Sequence, residues 1–219
     1  MFVGHYGPAF VAKRLELSIP LWVLFVAVQF LDVLWAPFVL LGIEKVRIVP
    51  HFTGSNALDL YYMPYTHGLL SAIVWSIVLG VLYQSLARPA RRRASLVVGA
   101  AVFSHWLLDL LVHVPDLPLV GNSAKIGFGL WNAPVLAFAL EIAVLAAGIW
   151  LYLATRPRRS VGIVAYGLVL TGIQAWSTFL SPPPASDRAQ ATTALVAYGV
   201  LAWAVWWLAD RPTSKAGAA

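Results

Sequence analysis

The chain has 219 residues, of which 60% are hydrophobic and 11% charged, with no cysteine, and its mean hydropathy is +0.78. Those values exclude an ordinary soluble domain and define a polytopic membrane protein. The absence of thiols excludes cysteine nucleophiles, thiolate metal sites and disulfides, so any metal must be held by His, Asp or Glu. The net charge of +6 does not point to nucleic acid, because the basic residues bunch between apolar segments, as the positive-inside rule expects.

Residues 2–14 are apolar but too short to span a bilayer, which takes ~20 helical residues. They predict a half-length helix carrying His5. The apolar run after Lys13-Arg14 continues far beyond a signal-peptide core, so the N-terminus is expected to be retained. A polar turn at 13–18, with Pro20 at a helix start, leads into a full-length segment at 21–41 interrupted by Gln29 and Asp32. The two elements predict a helical hairpin in which His5 and Asp32 reach similar depth. Residues 42–65 predict a long loop with His51, Asn56 and Asp59.

The second span, about 66–87, opens on Tyr65-Thr66-His67 and ends near the cluster Arg88, Arg91, Arg92 and Arg93, which marks a cytoplasmic loop. The third, about 94–114, carries His105, Asp109 and His113 at i, i+4 and i+8, with Asp116 returning to the same stripe. The fourth, about 130–155, begins with Trp131-Asn132 and buries Glu141. Arg156, Arg158 and Arg159 mark a second cytoplasmic loop. The fifth span, about 161–180, carries Gln174 but no charge; the sixth, about 191–209, follows Pro182-Pro183-Pro184. The expected architecture is an all-α membrane bundle, a short half-helix hairpin plus six transmembrane helices. Residues 1–155 would form the metal-site part, 156–211 a two-helix scaffold of the same bundle, and 212–219 a disordered tail.

Counting a rise of ~1.5 Å per residue from the basic clusters places Asp32 and His105 roughly 18 Å above the cytoplasmic boundary, Asp109 and Glu141 roughly 22–24 Å, and His67 and His113 roughly 30 Å. Ionisable groups from five segments therefore share one layer in the outer half. Singly, each has a plain reading: His5 as a surface histidine, Asp59 as a solvated loop residue, Asp116 as a helix-end turn, the His105/Asp109 pair as interhelical glue. Together they look like a ligand set. A charged or imidazole group facing lipid costs several kcal/mol, so such groups turn toward a cavity, a partner or a metal. Imidazole nitrogen and carboxylate oxygen suit a divalent cation, zinc first, with manganese or magnesium as alternatives.

Gly4-His5, the intramembrane Asp32, Tyr65-Thr66-His67 and Ser104-His105-x-x-x-Asp109 resemble the LexA-regulated, membrane-bound metal-dependent hydrolases, the YdjM-like inner-membrane proteins. That family has an early His, a Pro-Asp-x-Asp segment, a Thr-His-Ser motif and a late His-x-x-x-Asp. The resemblance covers roughly residues 1–116. Gln29-Phe30-Leu31-Asp32 keeps one acid of the family's pair, and Thr66-His67-Gly68 lacks the serine. The resemblance implies His5, Asp32, His67, His105 and Asp109 as metal ligands, with Glu141 or Asp59 as general base. His113 and Asp116 would hold substrate or a second ion, with Trp106, Trp131 and Asn132 shaping the site. The implied function is hydrolysis of an ester or phosphate of a membrane lipid or other amphiphile. The implied location is a bacterial inner membrane, with the site facing the periplasm and the C-terminus in the cytoplasm. The alternative class is a proton- or ion-coupled transporter that uses the same His/Asp/Glu cluster as a relay.

Overall fold

The computed structural model describes residues 1–87, 92–154 and 160–211. The expected cytoplasmic loops at Arg88 and Arg91 and at Arg156, Arg158 and Arg159, and the expected tail at 212–219, lie outside the described residues. A 3-10 turn, Val3–His5, opens into α1 (Tyr6–Leu15), followed by α2 (Leu21–Val28) and α3 (Phe30–Leu40). Then come β1 (Lys45–Ile48), β2 (Leu58–Tyr62), α4 (Leu69–Leu86) and α5 (Arg92–Val112). A 3-10 turn, Leu130–Asn132, precedes α6 (Pro134–Leu153), α7 (Ser160–Phe179) and α8 (Asp187–Val205), and α8 ends in a π-helical turn, Trp206–Asp210. Among the described residues five helices are long and apolar enough to cross a membrane, or six where the bent pair α2–α3 counts as one span. The protein is an all-α polytopic bundle.

The half-helix α1 does not lie on the surface. Tyr6 stacks on Phe25 at 4.4 Å and Phe10 meets Phe25 edge-on at 5.5 Å. Each large aromatic buries 150–250 Å², roughly 4–6 kcal/mol at 25 cal/mol per Å² measured against water. Against lipid the gain is smaller and comes from close fit. That fit is set by glycine: Gly7 and Gly148 bring the α1 and α6 backbones together, and a Cβ on either would collide with the other helix's backbone. The turn between α1 and α2 is closed by Lys13, whose buried ammonium donates to the carbonyls of Leu17 (2.9 Å) and Ile19 (2.5 Å). Two orphan carbonyls are thereby satisfied.

Three features differ from the sequence expectation. The segment 21–41 is not one straight helix but is bent by 54° at Gln29. Pro37 does not place the bend, because it lies two turns further on. At Gln29 the side-chain amide is buried and donates to the Phe2 carbonyl (3.1 Å), and the new start puts Asp32 in the first turn of α3, where the helix dipole favours a carboxylate. Thr66 and His67 do not lie in a helix but in the turn before α4. The loop 42–65 contains an antiparallel hairpin in which Arg47 pairs with Asp59 and Ile48 with Leu58.

The outer surface is apolar on all long helices: Leu70, Ile77, Val81, Trp150, Leu168, Val196 and Trp203 are exposed, as lipid-facing residues are. The helix starts are signposted locally. Pro134 stands at the first position of α6, where its missing N–H costs nothing. The Ser186 hydroxyl accepts from Ala189 N–H at 3.1 Å and caps α8 after the proline run.

Candidate metal centre

Six ionisable side chains from four separate segments meet at one end of α5. His5 arrives on the 3-10 turn before α1, Asp32 on the first turn of α3, His67 on the turn before α4, and His105 and Asp109 on successive turns of α5, with His113 just past its end. All five histidine and aspartate ligand candidates expected from the sequence are brought together, and His113 joins them. His5 Nε2 lies 3.2 Å from Asp109 Oδ1, and His105 Nε2 3.1 Å from Asp109 Oδ2. His67 Nε2 lies 3.2 Å from Asp32 Oδ1 and 3.7 Å from Asp109 Oδ2; His113 Nε2 lies 3.6 Å from Asp109 Oδ2. The His5 and His105 rings stack at 3.8 Å. Ligand atoms of His5, His105 and Asp109 lie within 4.8 Å of one another, as do those of Asp32, His67 and His105. These buried groups can hold a metal ion. The Met1 amino nitrogen is drawn to the same carboxylates, 2.7 Å from Asp109 Oδ1.

The second ring nitrogens decide what the cluster wants. His105 Nδ1 is 2.7 Å from the Val28 carbonyl oxygen at the bend; a carbonyl only accepts, so Nδ1 carries the proton. The opposite nitrogen, His105 Nε2, is buried with no hydrogen-bond partner. His67 Nδ1 faces Thr66 Oγ1 at 2.7 Å, and that hydroxyl is spent as a donor to Glu44 Oε2 at 2.6 Å, so His67 Nδ1 also donates. His113 Nδ1 donates to Asp116 Oδ1 at 2.8 Å. In their neutral forms, three imidazoles therefore turn bare Nε2 lone pairs toward carboxylate oxygens. Lone pairs facing anions repel; a cation between them reverses the sign, and outer partners that fix the tautomer are the usual support for metal-bound histidine. The donor set, imidazole nitrogen with carboxylate oxygen, fits a borderline or hard divalent ion.

Glu44 is an addition to the expected set. It is buried at the start of the hairpin, and its Oε1 also accepts the backbone N–H groups of Tyr65 (2.8 Å) and Thr66 (3.0 Å). Burial pushes its carboxyl above the usual range; the neighbouring His67, the Thr66 hydroxyl and the two backbone donors oppose that shift. Tyr198 from α8 donates to Asp32 Oδ2 at 2.6 Å. The C-terminal helices thus touch the centre as well as bracing it.

Of the remaining expected site residues, Glu141 lines the cavity beside the centre but is engaged. Its Oε2 accepts the N–H groups of Phe2 (2.8 Å) and Gly4 (3.1 Å), and its Oε1 accepts from Gln174 Nε2 (3.1 Å). It clamps the turn that carries His5, with three of the carboxylate's four lone pairs already accepting. Asp59 is not in the centre: on β2 it is ion-paired to Arg47 at 2.6 Å, outside the cavity. Asn132 is exposed and does not line the cavity either, because its 3-10 turn points it away. Trp106 supports from behind, donating to the His67 carbonyl at 3.0 Å. Trp131 does reach the site, its ring 4.1 Å from the His113 ring. The loop that brings it there is folded onto the end of α5 by Gly129, at φ +72°, whose N–H donates to the His113 carbonyl at 2.6 Å. Only glycine adopts that backbone readily.

A cavity of about 380 Å³ adjoins the cluster, lined at its inner end by Asp32, His67, Asp109, His113 and Glu141. Fold and site together define a class: a multi-pass membrane protein with a buried His/Asp centre opening on an internal cavity. No family model, no curated protein and no solved structure matches the chain.

Proposed function

We propose that the protein is a membrane-embedded metal-dependent hydrolase acting on an ester or phosphate of an amphiphile. The observation that carries this reading is the set of three tautomer-fixed imidazoles whose Nε2 atoms converge on two buried carboxylates at the wall of a cavity. When bound, a divalent ion, zinc by the donor set, supplies Lewis-acid polarisation and makes water acidic near neutral pH. His5, Asp32, His67, His105 and Asp109 would hold it. His113 is the base in this reading. Its Nδ1–H is held by Asp116, which leaves Nε2, 3.6 Å from Asp109 Oδ2 on a residue that lines the cavity, to take a proton from the attacking water. That water oxygen bonds to the carbonyl carbon or phosphorus, the bond to the alkoxide breaks, and His113 returns the proton to the leaving oxygen. Asp116 plays the orienting role, holding the tautomer and stabilising the imidazolium. The resemblance in residues 1–116 and the clustering of arginine on the side away from the site support placement in a bacterial cytoplasmic membrane, with the site toward the exterior.

The test is detergent-purified protein assayed for bound metal by elemental analysis, then for hydrolysis of p-nitrophenyl ester and phosphate probes. His113→Gln should keep the metal and lose about 10²–10⁴ in kcat, the usual worth of general acid–base catalysis. Protein without metal, or metal-loaded protein with no turnover, overturns the proposal. A second reading, an ion-coupled transporter, draws on the broken α2–α3 pair, since discontinuous helices mark transporter sites. Ion-driven uptake into proteoliposomes that survives His113→Gln would favour it.

A further inference from the structure

The cavity is not closed on every side, and its openings fall on one seam. The hairpin loop roofs it: Ser55 Oγ donates to the Trp131 carbonyl at 2.8 Å, and a Cβ on Gly54 would stand 3.0 Å from the Asn132 carbonyl oxygen and 3.3 Å from that of Trp131, so no side chain fits there. Among the lining residues, the exposed ones are Ile173, Trp176, Ser177, Ser181 and Thr193. All lie on α7, on α8 or on the turn between them. Near the opposite end the same two helices are tied, Tyr166 Oη donating to the Leu201 carbonyl at 2.8 Å. Toward the cavity α7 leans on α6, whereas α8 packs on α2 and α3. The gap is therefore a wedge, joined at one end and open at the other, in a wall whose outer residues, Trp176 (57% exposed) and Val196 (60% exposed), face hydrocarbon.

We infer that this α7–α8 cleft is a chain-binding site: the hydrocarbon tail of a membrane amphiphile enters sideways between the two helices and leaves its polar head at the His/Asp centre. The chemistry of the lining selects this occupant. The inner end of the cavity offers carboxylates and imidazoles, while the cleft offers Ile173, Trp176, Ala194 and Ala197 with a few hydroxyls at its mouth. A fully water-soluble substrate would gain nothing from an apolar slot opening into lipid, and a wholly apolar one would leave the buried polar groups unpaired. The inference deepens the hydrolase reading and rests on it for the fate of the head group, but the cleft itself is tested separately.

The experiment uses the full chain in nanodiscs containing a phospholipid with a diazirine in its acyl chain, irradiated and mapped by mass spectrometry. Cross-links are expected on the cavity-facing residues of 173–178 and 190–197. Ala197→Trp, which fills the slot, should lower them about tenfold, the effect of withdrawing roughly two buried methylenes from contact. Thr193→Trp acts at the exposed mouth, where folding tolerates bulk, and should give the same loss. Bound metal should stay at the wild-type level in both variants. Labelling spread evenly over lipid-facing positions such as Ile77 and Val81, or undiminished by either variant, overturns the cleft. Cleft labelling in a protein without metal keeps the cleft and sinks the hydrolase reading.

Discussion

Thr66 offers a sharp test of tautomer control, because its side chain reaches the centre only through His67. Its hydroxyl sits between Glu44 Oε2 at 2.6 Å and His67 Nδ1 at 2.7 Å, with both neighbours buried. Thr66→Val keeps the shape and removes the oxygen. His67 Nδ1–H is then buried without an acceptor, which costs about 1–3 kcal/mol for a neutral donor. The tautomer that leaves Nε2 bare is no longer enforced. Loss of an outer partner of this kind typically lowers metal affinity by about 10–100-fold, which corresponds to roughly 1.4–2.7 kcal/mol. The assay is competition of the purified protein with a chelator of known strength, read by elemental analysis at equilibrium. Thr66→Val should unfold a few degrees below wild type without metal, and the gap should widen with it. An affinity change smaller than about 0.5 kcal/mol, the scatter of inconsequential substitutions, would show that the Glu44–Thr66–His67 chain does not govern the centre.

Two further outcomes bear on the scaffold. Gly148→Val should push α1 off α6 and carry His5 away from Asp109, costing about 1–3 kcal/mol by overpacking and lowering bound metal; unchanged metal content and thermal stability would contradict the close approach at Gly7. Glu141→Ala should strip acceptors from Phe2 N–H, Gly4 N–H and Gln174, at about 1–3 kcal/mol per stranded donor, whereas Glu141→Gln retains a carbonyl acceptor and should fold nearly as well. A folded, metal-loaded Glu141→Gln that is inert toward both probes would mean that Glu141 is the base and not a clamp.

Much of this arrangement is legible in the chain. The i, i+4, i+8 spacing of His105, Asp109 and His113 survives because α5 is regular there, and the groups that the count placed in one layer do meet. What the chain hides is tertiary. Glu44 adjoins Lys45 and Arg47, so it reads as a solvated loop acid; only the folded hairpin turns it inward. The strand that follows it is four residues long, too short for alternation to stand out. The elbow at Gln29 is masked by the apolar run around it, and the polar pair Gln29 and Asp32 is its local sign. Tyr198 and Gln174 carry no charge, so within apolar helices they pass for packing residues. Glu141 stands out as buried, but its partners are backbone groups 137 and 139 residues away, which no pattern in the chain announces.

The 54° elbow between α2 and α3 ties two things to one backbone rotation. It aims Asp32 at His67, and it offers the Val28 carbonyl that holds the His105 ring. Straightening the segment would retract a carboxylate and release an imidazole in the same stroke. The bend of this segment and the geometry of the His/Asp cluster therefore cannot change independently.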